Sequence, residues 1–76
     1  MNKSRRELLK KAISSLNSAS SFVSDALDEE QECLDSTPEN LESSERYEKM
    51  SEAVDYLERA SDLIEEAIEC VREASS

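Results

Sequence analysis

The chain has 76 residues with 19 acidic and nine basic side chains, a net charge of −10, no histidine, no glycine, one proline and two cysteines. That length holds one small domain with a marginal core. A glycine-free chain poor in β-branched residues excludes a sheet. The missing histidine removes the commonest general base and zinc ligand, and an acidic body repels phosphate.

The start is the exception to the acidity. Residues 1–12 carry Lys3, Arg5, Arg6, Lys10 and Lys11 against Glu7 alone, whereas from residue 13 onward eighteen acids face four bases. A basic start can open a signal peptide, but Ile13-Ser14-Ser15-Leu16-Asn17-Ser18-Ala19 is too polar for its apolar stretch. No apolar run exceeds two residues, so no membrane span is expected and a cytosolic protein is the default.

The first helix is expected over about 4–34. It starts near Asn2 to Ser4, with Ser4 as N-cap and Glu7 completing a capping box. Its weak stretch is Ser14 to Ser24, where serines and an asparagine lower helix propensity and packing must compensate. Residues 35–43 form the connection. Pro38 stops the first helix, with Ser36 or Thr37 as caps, and Pro38 to Glu42 reads as a helical turn on which Leu41 closes the core. Ser43 or Ser44 then caps a second helix over about 44–74, which alternatively begins at Pro38.

Both helices carry heptad stripes. Leu9, Ile13, Leu16, Ser20, Val23, Leu27, Glu30 and Leu34 recur at steps of four and three, as do Tyr47, Met50, Val54, Leu57, Ser61, Ile64, Ile68 and Val71. Paired outward from the middle, the numbers sum to 80 or 81: Leu34 with Tyr47, Leu27 with Val54, Val23 with Leu57, Leu16 with Ile64, Ile13 with Ile68, Leu9 with Val71. Ser20 falls opposite Ser61. An all-α antiparallel two-helix hairpin, coiled-coil-like, is what such a seam specifies.

A second stripe flanks each seam: Leu8, Ala12, Ser15, Ala19, Phe22, Ala26 and Cys33 on the first helix, and Ala53, Tyr56, Ala60, Leu63, Ala67 and Ala74 on the second. A lone hairpin leaves these residues in water. Alanines punctuated by Leu8, Phe22, Tyr56 and Leu63 suit close helix packing, so a homodimer forming a four-helix bundle is expected. The bland alternative is a set of good helix formers tolerated on a surface.

Chemistry is hard to build from the remaining residues. No glycine-rich loop or nucleophile elbow is present, so no catalytic or cofactor-binding residues are expected and the chain reads as a non-enzyme. Asp28-Glu29-Glu30-Gln31-Glu32 superficially resembles a metal cluster but reads as a solvated face, and no metal is expected. Cys33 and Cys70 lie about 22 residues apart in the hairpin register, or ~33 Å, and should be free thiols. The basic start opposes the macrodipole of the first helix. Ion pairing with Glu65, Glu66, Glu69 and Glu73 across the seam accounts for it, anion or nucleotide capture by an oligomer being the lesser option.

The third stripe of the second helix is almost wholly acidic: Glu45, Glu48, Glu52, Asp55, Arg59, Asp62, Glu66, Glu69 and Glu73. Like charges at i and i+4 oppose helix formation by a few tenths of a kcal/mol each. Such a cost fits either a solubilising face or carboxylates spaced to occupy a basic groove made for nucleic acid.

Asp28-Glu29-Glu30-Gln31-Glu32, Pro38-Glu39-Asn40-Leu41, Ser44-Glu45-Arg46-Tyr47-Glu48-Lys49-Met50 and Glu52-Ala53-Val54-Asp55 carry a resemblance over most of the chain. It resembles short acidic hypothetical proteins of phages and prophages of Gram-positive gut bacteria. The resemblance brings no activity and no site residues; it implies a phage accessory protein that binds and blocks a host protein, including defence systems such as CRISPR nucleases. Together with the residues, it gives a helical interaction module acting through Leu41, Tyr47 and the acidic residues Glu45, Glu48, Glu52, Asp55, Asp62 and Glu66. Its partners would be a second copy and a host or phage protein with a basic or apolar surface. The rivals are a nucleic-acid mimic, a structural phage component and a nucleotide-capturing oligomer.

Overall fold

The computed structural model describes residues 1–76. Two long helices, α1 over Lys3–Asp35 and α2 over Glu45–Ser75, pack side by side in a rod 59 × 15 × 14 Å across. Between them lies one short 3-10 turn, Glu39–Leu41. No helix is long and apolar enough to cross a membrane.

The caps explain where the helices begin. Asn2, with extended backbone, accepts from the Arg5 N–H at 2.8 Å through its side chain and caps α1. This corrects the expectation of Ser4, which lies inside the first turn. Asn caps as well as Ser does, and the earlier site brings two more residues into the helix. The first turn of α1 holds no acid and the last no base, so its charges work against its dipole. For α2 the cap is Ser44, one of the two serines expected, accepting from the Tyr47 N–H at 3.1 Å, with Glu45 and Glu48 in the first turn and Arg72 in the last. Its charges run with the dipole.

Helix α1 ends as Pro38 approaches. Here Ser36 and Thr37 act backwards, not as N-caps of the following turn: the Ser36 hydroxyl donates to the Glu32 carbonyl at 2.9 Å and the Thr37 hydroxyl to the Cys33 carbonyl at 3.0 Å. The Cys33 carbonyl is one that the helix end leaves open, whereas the Glu32 carbonyl also accepts from the Ser36 N–H at 3.0 Å. Pro38 itself caps the 3-10 turn without a side-chain bond, its carbonyl accepting from the Leu41 N–H at 2.9 Å. The second helix therefore starts at Glu45, not at Pro38.

The seam follows the stripes. Every stripe residue from Leu9 to Leu34 and from Tyr47 to Val71 is withdrawn from solvent, including Ser20, Ser61 and Glu30. Only Val54 and Ile68, at 5% and 7% exposure, are buried, and no side chain is wholly enclosed. Two helices cover each other along one line, so most seam side chains stay half-wet. A hairpin this thin removes little apolar area for the backbone it orders.

Candidate protein-binding site

The turn end of the hairpin carries an open cleft of about 320 Å³ lined by Cys33, Ser36, Thr37, Pro38, Leu41, Ser44, Arg46, Tyr47 and Met50. Its shape follows from the connection. The 3-10 turn lifts Leu41 over the helix ends, and the Ser44 cap sets the angle at which Tyr47 and Met50 enter α2. Leu41 is 48% exposed; it walls the cleft and does not close the core as the sequence led us to expect. A three-residue turn holds the side chain at the rim, above the last seam layer of Leu34 and Tyr47.

A second, acidic cleft of about 410 Å³ adjoins the first and is lined by Glu42, Tyr47, Glu48, Ser51 and Glu52. Tyr47 is the wall between the two. Because it lines both, the apolar surface of Pro38, Leu41 and Met50 meets the carboxylates of Glu42, Glu48 and Glu52 at this residue, an arrangement suited to an apolar side chain followed by a basic one. Of the residues singled out in the sequence, the structure brings Leu41, Tyr47, Glu48 and Glu52 together here. Glu45, Asp55, Asp62 and Glu66 lie exposed on α2 outside both clefts. Pro38, Met50 and Glu42 were missed as wall residues. The only signal for them was the short spacing between the proline and the Ser44 cap.

The electrostatics are those of unpaired surface charge. The one ion pair is Lys49 with Glu45 at 3.8 Å, on side chains 74% and 85% exposed, a pair worth less than about 1 kcal/mol. The expected ion pairs between the basic start of α1 and Glu65, Glu66, Glu69 and Glu73 are not formed. All of these side chains are exposed, where pairing gains little against the entropy of holding two long side chains together.

The flanking stripes take a definite side. Every flank residue of α1, from Leu8 to Cys33, sits one place before a seam residue, and so do Ala53, Tyr56, Ala60, Leu63 and Ala67 on α2. One place is about 100° of rotation, and reversal of the chain puts that offset on the same side of both helices. The two stripes thus form one apolar flank, on which Leu8, Phe22, Tyr56 and Leu63 are 61%, 73%, 68% and 54% exposed. Ala12, Ala19, Ala53, Ala60 and Ala67 are half-buried between them, while Ala26 is exposed. Residues one place after the seam make the opposite flank. There Asn17, Glu65, Glu69 and Arg72 line a polar cavity of about 330 Å³ with the seam residues Ser20 and Ile68.

Both cysteines are free and exposed, and no group of three acidic, cysteine or histidine side chains is arranged to hold a metal ion. No family model, curated protein or solved structure matches the chain.

Proposed function

We propose that this chain is a non-catalytic helical interaction module that captures a partner protein at its turn end and pairs with a second copy through its apolar flank. The observation that carries the reading is the double cleft about Tyr47, apolar towards Pro38, Leu41 and Met50 and acidic towards Glu42, Glu48 and Glu52. The partner it fits presents an apolar side chain beside Lys or Arg. In the setting that the phage resemblance implies, the module is an accessory protein in the host cytosol, and occupying a host protein's basic or apolar surface inhibits that protein.

A second reading is favoured by a separate observation. Glu48, Glu52, Asp55, Asp62 and Glu66 are all exposed and none is ion-paired, as in a mimic of nucleic acid that blocks a phosphate-binding groove. A pull-down from host lysate separates the two. Leu41→Ser abolishes capture by the turn-end cleft and leaves mimicry intact. Reversal of Asp55, Asp62 and Glu66, which lie outside both clefts, to Lys abolishes mimicry, whose affinity also falls steeply with salt, and leaves capture by the cleft intact. Capture unchanged in both variants overturns both readings.

A further inference from the structure

The apolar flank is a sizeable patch. On helices about 10 Å wide, the ~38 Å from Leu8 to Cys33 and the ~21 Å from Ala53 to Ala67 present roughly 600 Å², the larger part of the ~800 Å² per partner of a stable complex. The core beneath needs such cover, since only Val54 and Ile68 are buried and neither is wholly enclosed. A second copy is the occupant that accounts for the flank's own pattern. It carries large residues at some levels and small ones at others, and the levels interchange when the rod is turned end over end.

The levels follow from the helix ends. Helix α1 stops at Asp35 where α2 starts at Glu45, and α1 starts at Lys3 where α2 stops at Ser75. Tyr56 therefore stands slightly above Phe22, Leu63 beside Ala19, and Ala67 between Ala12 and Ser15. We propose that two copies pack their apolar flanks with turns at opposite ends, about a two-fold axis level with Ala19 and Leu63. Phe22 of one copy then faces the Ala12 to Ser15 stretch of the other. Leu8 faces the gap between Ala26 and Glu29, and Tyr56 faces the notch at Ala67. With turns at the same end, all four aromatic rings would crowd one level while alanine and serine alone met at another. Complementary filling of large against small is what a packed interface requires.

Charge selects the same arrangement. The terminal half of the rod, residues 1–19 with 60–76, holds six acids and six bases, whereas residues 20–59 hold thirteen acids and three bases. Same-end packing sets two strongly acidic halves against each other. Opposite-end packing sets each acidic half against a neutral one, bringing the basic start of α1 towards the acidic turn of the second copy. The unpaired basic start thereby acquires its counter-charge. The arrangement also points the two turn-end clefts in opposite directions, one at each tip of the dimer.

This inference rests on the flank pairing with a second copy, and the test separates the two claims. The full chain with Cys70→Ser is spin-labelled at Cys33, which is exposed near the turn end. Light scattering reports the mass and pulsed electron paramagnetic resonance the distance between labels. Opposite-end packing leaves the two Cys33 positions about 30 residues apart along the rod, or ~45 Å, whereas same-end packing brings them within about 20 Å. A mass near twice 8.6 kDa with the long distance is the expected result. That mass with the short distance overturns the topology and keeps the dimer. A mass of 8.6 kDa at tens of micromolar overturns both, and leaves the flank to a different protein.

Discussion

The two flanks of this hairpin are built from the same helices and obey different rules. Residues one place before each seam position are alanine, leucine, phenylalanine and tyrosine over most of the rod; residues one place after are polar or charged throughout, mostly serine, aspartate and glutamate. Both flanks border the same half-buried seam, so the core does not demand the difference. It marks one side as a surface that prefers to leave water and the other as one that stays in it. The rod's ends differ in the same spirit, since the turn end carries clefts bounded by Leu41, Tyr47 and Glu48 and the other carries unpaired bases.

The sharpest break in this comparison sets seam against flank. Ile68→Asp puts a carboxylate at a position only 7% exposed and should cost on the order of 3 kcal/mol or more, enough to unfold so thin a domain. Circular dichroism should show helicity lost at every protein concentration. Phe22→Glu leaves the seam alone and removes a residue of the apolar flank. Its melting temperature should fall below wild type and stop rising with concentration, because mass action no longer contributes. Helicity retained in Ile68→Asp would mean the seam is misassigned. Phe22→Glu melting like the wild type would strip the flank of its role.

The polar flank can be probed through its cavity. Ser20 is half-buried beside the space bounded by Asn17, Glu65, Ile68, Glu69 and Arg72. Ser20→Leu should stabilise the hairpin by about 1 kcal/mol, since a half-buried leucine gains roughly half its transfer free energy. Denaturant melts would read it, and a loss of stability would show the layer to be tighter than its walls imply.

The ends allow a smaller contrast. Ser44→Ala removes the hydroxyl that accepts from the Tyr47 N–H and should cost about 1 kcal/mol, while Ser4→Ala, inside α1, should be neutral to a few tenths favourable. Equal effects would contradict the assignment of caps. Smallest is the charge on the outer stripe of α2. Glu66→Lys replaces its like-charge neighbours Asp62 and Glu69 with attractive ones, and should gain a few tenths of a kcal/mol at low salt. The gain should fade as salt is added, and a gain indifferent to salt would point to a cause other than charge.

Much of this molecule was legible before its structure. The paired stripes named every seam residue, because a 3.5-residue repeat of apolar side chains can be buried only along one line of a helix. The Ser44 cap and the 3-10 turn after Pro38 were legible for equally local reasons: a hydroxyl before an acidic first turn, and a proline without an N–H to continue a helix. The turn region misled where reach mattered. Leu41 is apolar and near the seam, yet the 3-10 turn leaves it at the rim, and Ser36 and Thr37 bond back to the Glu32 and Cys33 carbonyls of α1 instead of capping the next turn. The basic start misled for another reason: a register of complementary charges does not make exposed side chains pair, because water solvates them about as well. Periodicity, caps and breaks are properties of a few neighbouring residues, and the amino-acid order determined them alone. Which side chains meet, which flank is shared by both helices and which walls enclose a cleft depend on the direction and separation of two cylinders, and only the packed hairpin decided those.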